Sequence, residues 1–371
     1  MKKSITKNYI YNLTYQILVL ILPLITTPYI SRVLGAENIG IYSYTLSISA
    51  YFILFGSLGV ALYGQREIAY NQENKNSENW AFTDSRGSDA VIAVIGLSTL
   101  SEGEEGEAIA SDFHSDRKDI ALPATQLKYL RELRKTIKDT PLIVVVTGGS
   151  PVDLREVYQL SDALLFVWYP GEQGGDALAN ILFGEVSPSG KLPITFPMDE
   201  NQLPDYRSYS MEGRTYKYST VTPMFPFGFG LGYSTIELSN LKIKVLPAYS
   251  QKQKSALYLT PTDTLVVSFS VRNPGSVPAE EVIQLYQQTK GAKFRTPRFD
   301  LKDFMRIRIN PGEESQYSFH IPASRFSDFN MEGHRMLVPG THKLFVSTSL
   351  PIARSLELGT TPWLEGEITV K

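Results

Sequence analysis

Apolar positions along this chain follow three regimes in turn, and each regime predicts a different kind of structure. Near the amino terminus no charged residue occurs from Asn8 to Ser31 or from Asn38 to Gln65. The first stretch holds "ILVLILPLI", in a setting that suits the roughly 20 residues a helix needs to cross a bilayer. The eight aliphatic residues of that run favour insertion by about 2 to 5 kcal/mol. Lys2, Lys3 and Lys7 precede it and Arg66 follows the second stretch. The positive-inside rule therefore predicts a transmembrane helical hairpin over residues 8–65 with both ends cytoplasmic. A cleavable signal peptide is the competing reading, but the apolar region is too long and a second span follows it.

After the polar stretch "NQENKNSEN" the pattern changes to short aliphatic runs: "VIAVIGL" (91–97), "LIVVVTG" (142–148) and "ALLFVWY" (163–169). Near-continuous rather than alternating, they read as buried parallel strands. Between the first two, Leu127, Leu130, Leu133 and Ile137 recur at helical spacing behind Pro123, which suits a first turn. A further helix near 174–183 and a strand near 192–196 complete an α/β sandwich, a wound and mostly parallel sheet with helices on both faces. From about Glu237 the period drops to two. Leu265, Val267, Phe269 and Val271 alternate, as do Tyr317, Phe319 and Ile321, and "NPG" turns stand at Asn273 and Asn310. An all-β sandwich is expected there.

Composition narrows the function. A net charge of −2 supplies no basic field for nucleic acid. With no cysteine and four histidines that lack metal-ligand spacing, thiol catalysis is excluded and neither a metal nor a cofactor is expected. Ligands of wound sheets sit beyond the carboxyl ends of the strands, which gathers the loops 98–117, 148–151 and 170–175. No GxGxxG and no phosphate loop follows any of these strands, so a nucleotide site is not expected. The first loop opens with "SEGEEGE", four glutamates in seven residues. By itself such a run reads as a solvated surface loop. Two charges about 6 Å apart in water repel by only about 0.7 kcal/mol. Only burial would raise one of these carboxyls to the value that general-acid work at neutral pH requires.

Two resemblances bear on these residues. "KNYIYNLTYQILVLILPLITTPYISRVLGAENIGIYSYTLSISAYF" is similar to the first two helices of bacterial polysaccharide flippases, a likeness that ends near Trp80. "GLSTLSEGEEGEAIASDFHSDRKDIALPATQ", "VVVTGGSP", "LLFVWYPGEQGGDALANILFGEVSPSGKLPITFP", "YSMEGRTYKY" and "PFGFGLGYS" resemble the carboxyl-terminal region of glycoside hydrolase family 3. "VRNPGSVPAEEVIQLY" and "LVPGTHKLFVSTS" resemble the fibronectin-III-like domain that ends many of its enzymes. The second resemblance implies β-glucosidase or β-xylosidase chemistry, with a catalytic acid/base glutamate in the acidic loop. Its E-x-E-G-x-D-R pattern falls on Glu102 to Glu107 and on Asp116-Arg117. The insertion "EAIASDFHS" lets the assignment slide, with Glu104 first and Glu102 second. Trp168 and Tyr169 are candidate walls for a sugar ring or buried anchors of the sheet. Glu212 and Arg214, with Tyr216, are candidate hydroxyl contacts or a loop clamp.

The expected organisation is a flippase-like segment at 1–80, an α/β domain at 81–236 and a fibronectin-III-like sandwich at 237–371, joined as a chimera. Retaining hydrolysis takes a second carboxylate roughly 5 to 5.5 Å from the first, which in the family is an aspartate on a barrel domain preceding this region. The chain alone is accordingly expected to be a nearly inactive fragment acting on β-linked oligosaccharides or glycosides. A membrane-tethered, non-catalytic carbohydrate-binding module and a flippase remnant carrying a passenger domain are the rival readings. The hairpin implies a bacterial inner-membrane location with the remainder in the cytoplasm, whereas the family's enzymes are often exported.

Overall fold

The computed structural model describes residues 80–97, 102, 117–205, 207–246 and 258–370. The hairpin expected at 8–65 and the flippase-like segment lie outside them. Among the described residues no helix is long and apolar enough to cross a membrane.

Helix α1 (Trp80–Ser85) is followed by β1 (Val91–Gly96), α2 (Ala124–Ile137), β2 (Leu142–Thr147), α3 (Arg155–Leu160), β3 (Ala163–Phe166) and α4 (Gly174–Leu182). The three strands pair in parallel in the order β1-β2-β3, with Val91 opposite Leu142 and Ile143 opposite Ala163. Central β2 buries Leu142, Val144, Val145 and Val146 completely, which is why its run is unbroken by polar residues. Helix α2 turns Leu130, Leu133 and Ile137 inward, and they share one core cluster with Val144 and Val146.

Three expectations fail locally. The strand expected at 192–196 is reduced to a bridge between Phe196 and Phe225, with Leu192 bonded to Phe229 and Gly228, and Pro193 and Pro197 supply no N–H to its opposite edge. Strand β3 stops at Phe166 because Trp168 turns into the left-handed region at φ 55°. Helices were expected over both faces of the sheet, yet α4 buries none of its residues and Ile92 and Val94 of β1 stay exposed.

A short helix α5 (Thr215–Tyr218) leads to β4 (Glu237–Leu246), β5 (Tyr258–Leu259), β6 (Thr264–Arg272), β7 (Ala279–Lys290), β8 (Asp300–Ile309), β9 (Glu314–Pro322), β10 (Ser327–Phe329), β11 (Arg335–Leu337), β12 (Gly340–Ser347), helix α6 (Ala353–Glu357) and β13 (Leu364–Val370). A five-stranded sheet, β5-β13-β12-β7-β8, faces a three-stranded one, β4-β6-β9. The predicted alternation holds, since Leu265, Val267, Phe269 and Val271 pack with Ile283, Leu285, Leu344 and Val346 in one core. At the first "NPG" turn the buried Asn273 side chain donates to the carbonyls of Val277 and Ile309 and accepts from the Gly275 N–H.

The sandwich and the α/β layer meet in a tightly built seam. Tyr216 stacks on Phe227 at 4.1 Å and meets Tyr286 of β7 edge-on. Gly228 has φ 73°, and a Cβ there would lie 2.2 Å from Gln284 Oε1, so only glycine fits. Lys191 and Glu281 pair at 2.6 Å with both side chains nearly buried, and the Lys191 ammonium also donates to the Gly230 carbonyl.

Candidate active site

Beyond the carboxyl ends of β1 to β3 the chain gathers the residues with the strongest chemical interest. Leu97 closes the β1 ladder by donating to the Thr147 carbonyl at 2.9 Å. Five residues on, Glu102 returns to the sheet, where its Oε1 accepts the Gly149 N–H at 3.1 Å. A Cβ on Gly149 would lie 3.3 Å from both Glu102 oxygens and 2.9 Å from the Tyr169 ring. The Gly148-Gly149 pair is thus a place where a carboxylate and an aromatic ring both approach bare backbone, the use for which glycine is suited.

The predicted site residues separate into groups. Glu102, Gly149 and Tyr169 come together, and Tyr169 keeps 40% of its surface exposed. Trp168 faces the other way. Its ring packs edge-on against Phe166 at 4.8 Å and Phe196 at 6.2 Å, partly buried against the core of the α/β layer. Arg117 closes the far end of the acidic loop, where its guanidinium donates to the Ala121 carbonyl and lies 3.6 Å from the Asp119 carboxylate. Glu104, Asp116 and the rest of 103–116 lie outside the described residues.

Arg214 is committed to its own loop, donating to the carbonyls of Ser208 (2.7 Å), Ser210 (3.1 Å) and Asp205 (3.2 Å). Flanking it, Gly213 at φ 70° and Thr215 at φ 53° hold the backbone in left-handed turns. Glu212 points to solvent and lies 3.8 Å from Arg295.

Side chains without a sequence signal also shape the site. Gln126 of α2 binds both backbone polar groups of Gly96. Arg155, at the start of α3, forks onto Asp153 and reaches Asp199 at 3.1 Å, stapling the loop after β2 to the segment that follows Phe196. Burial would raise the Asp153 carboxyl, but the hydrogen bonds and charge of Arg155 outweigh it and hold the group below its usual range. Among the described residues no three His, Asp or Glu side chains converge as a metal cage.

Comparison with known proteins bears on what this arrangement does. The family model described as glycosyl hydrolase family 3 C-terminal domain matches residues 19–233, and the fibronectin type III-like domain matches residues 281–350. A β-xylosidase of Formosa agariphila is 32% identical over 72% of this chain and 35% of its own length. The periplasmic β-glucosidase of Salmonella typhimurium is 33% identical over 70% of this chain and 32% of its own. The crystal structure of a β-glucosidase from Listeria innocua in complex with isofagomine superposes with a TM-score of 0.62 at 27% identity, covering 78% of this chain and 38% of that one. The chain thus spans about a third of the length of these relatives. The family match begins at residue 19, inside the stretch that was expected to be flippase-like, and none of these comparisons supports that expectation or the idea of a chimera.

Proposed function

The chain belongs to glycoside hydrolase family 3, and on that premise we propose that it carries the acid/base half of a β-glucosidase or β-xylosidase site, with Glu104 as proton donor and Glu102 as the anchor of its loop. The observation that supports this is the docking of Glu102 on the Gly149 N–H at the carboxyl end of β2. It engages the Glu102 carboxylate with backbone at the mouth of the sheet, and Glu104 follows two residues later in the sequence. In the first step the donor passes its proton to the glycosidic oxygen as a second carboxylate attacks the anomeric carbon. In the second step the donor, now a base, takes a proton from the water that releases the sugar.

The test is a hybrid in which residues 80–371 replace the corresponding region of the Formosa agariphila β-xylosidase, assayed on aryl β-xylosides and β-glucosides. Glu104→Gln should cost about 10²- to 10⁴-fold in kcat, the usual contribution of a general acid. Azide should restore part of the rate and yield a β-glycosyl azide. Full activity in Glu104→Gln, with the loss appearing in Glu102→Gln instead, would reverse the two roles.

A second reading, carbohydrate binding without turnover, draws on the exposed Tyr169 ring beside Gly149. Titration with xylo- and cello-oligosaccharides tests it, and no binding at millimolar concentration removes it. A membrane tether through residues 8–65 belongs to the same proposal. Release of the full chain from membranes by alkaline carbonate would refute it.

A further inference from the structure

Gly96 is the last residue of β1, and because Leu97 donates to β2, the N–H and C=O of Gly96 face the outer edge of the sheet. No strand of the described residues pairs there. The place is taken by one side-chain amide: Gln126 Oε1 accepts the Gly96 N–H at 2.9 Å, and Gln126 Nε2 donates to the Gly96 carbonyl at 2.8 Å. A planar amide held in this way is a one-rung substitute for a neighbouring strand.

The rung stands where the chain leaves the sheet for the acidic loop. Gly96 sits at φ 134°, and a Cβ on it would be 2.1 Å from the Thr147 carbonyl oxygen. Being glycine, it does not by itself fix the direction of exit. What fixes it is side-chain chemistry from two sides: the Gln126 amide on the outer edge, and the Thr147 hydroxyl, which donates to the Leu97 carbonyl at 3.2 Å on the inner one. Only residues 98–101 separate this clamp from Glu102 in the sequence, and the Glu102 carboxylate meets Gly149.

We infer that Gln126 is a positioning residue for Glu102: through Gly96 it sets where the Glu102 carboxylate docks on the Gly149 N–H. Its catalytic meaning rests on the acid/base reading above, but the contact itself is read without turnover. A misplacement of about 1 Å is enough to cost a catalytic group on the order of 10²-fold in rate, so the rung matters only if the docking of Glu102 depends on it.

The experiment uses the full chain labelled with ¹³C,¹⁵N-glycine. The sequence holds two Gly-Gly pairs, Gly148-Gly149 and Gly174-Gly175, so a carbonyl-to-nitrogen correlation gives two peaks. Glu102→Gln should move the Gly149 peak and leave that of Gly175 in place. In a Gln126→Met background the same Glu102→Gln change should no longer move Gly149. Gln126→Glu keeps an acceptor for the Gly96 N–H but loses the donor, and should leave a reduced response; it also serves if the methionine variant does not fold. A merely structural glutamine would lower the melting temperature while Gly149 kept its full response to Glu102→Gln, and that result overturns the inference. No response in the wild-type background would do the same. Loss of the acid/base role, by contrast, is seen only in the turnover of Glu104→Gln and leaves these peaks unaffected.

Discussion

The Lys191–Glu281 pair offers the sharpest test of how the two layers are held together. Burial is the largest influence on both groups, pushing the Glu281 carboxyl above its usual range and the Lys191 ammonium below its own, and their mutual attraction offsets only part of it. Removing one partner leaves the other charge in a site built to exclude water, which costs about 3 to 5 kcal/mol. At roughly 2 to 4 °C per kcal/mol for bodies of 150–250 residues, Lys191→Met should lower the melting midpoint by about 6 to 20 °C. Lys191→Met combined with Glu281→Met should return most of that loss, because apolar replacements of a buried pair are often neutral. The unpaired carbonyl of Gly230, which Lys191 now serves at 2.6 Å, would keep about 1 to 3 kcal/mol of it.

The pH dependence of the same variant follows from the sign of the shift. A carboxyl raised in the fold contributes its stability in full below the unfolded value of 4.5 and loses it as pH rises through the folded value. Without the lysine the folded value climbs further, so the deficit of Lys191→Met should be small near pH 4 and grow toward pH 8. Calorimetry at both pH values measures it. If each single variant costs under about 1 kcal/mol, as exposed pairs do, or if the deficit does not change with pH, the seam admits water and the reasoning is wrong.

Gly228→Ala should destabilise severely, by more than about 3 kcal/mol, since overpacking adds to a left-handed backbone and the new Cβ would lie 2.2 Å from Gln284 Oε1; soluble yield and denaturant midpoint report it. Arg214→Ala frees three carbonyls of the 205–214 loop, so limited proteolysis should cut there at least several-fold faster while the core melts within about 2 kcal/mol of wild type. His342 is held below the usual imidazole range, first by burial and then by the charge of Lys302, against a raising hydrogen bond to the Val338 carbonyl. Its neutral form is therefore the stabilising one, and stability should fall as pH drops through 6.5 toward the folded value. His342→Gln should flatten that slope, and an unchanged slope would place its origin elsewhere.

What the chain discloses before folding is what repeats along it. Leu130, Leu133 and Ile137 fall on one helix face because 3.6 residues make a turn, and Leu265 to Val271 face one core because strands alternate. Those elements could be read from spacing alone. Pro193 and Pro197 were equally legible and argued against a full strand at 192–196. For Trp168 the sequence left a sugar wall and a buried anchor both open, because its ring is directed by a left-handed backbone step that no period records. Gln126, Arg155 and Lys191 were not legible. Each acts on a group 30, 44 or 90 residues away, and a polar side chain that pairs at such a range looks in sequence like one that faces water.

These long-range contacts explain why a sandwich that contributes none of the proposed catalytic residues still bears on the site. Phe196 touches Phe166 and Trp168 at the end of β3, and it bridges to Phe225. The segment before it starts at Lys191, pinned by Glu281 of β7, and the strip after Phe225 runs through Gly228, seated on Gln284 and Tyr286 of the same strand. Asp199, three residues past Phe196, holds Arg155 and with it the loop after β2 that presents Gly149 to Glu102. Strand β7 therefore supports the floor on which Tyr169 and Gly149 sit. Loosening the seam should be felt first at Gly149 and only later in the sandwich, whose own core from Leu265 to Val346 does not depend on it.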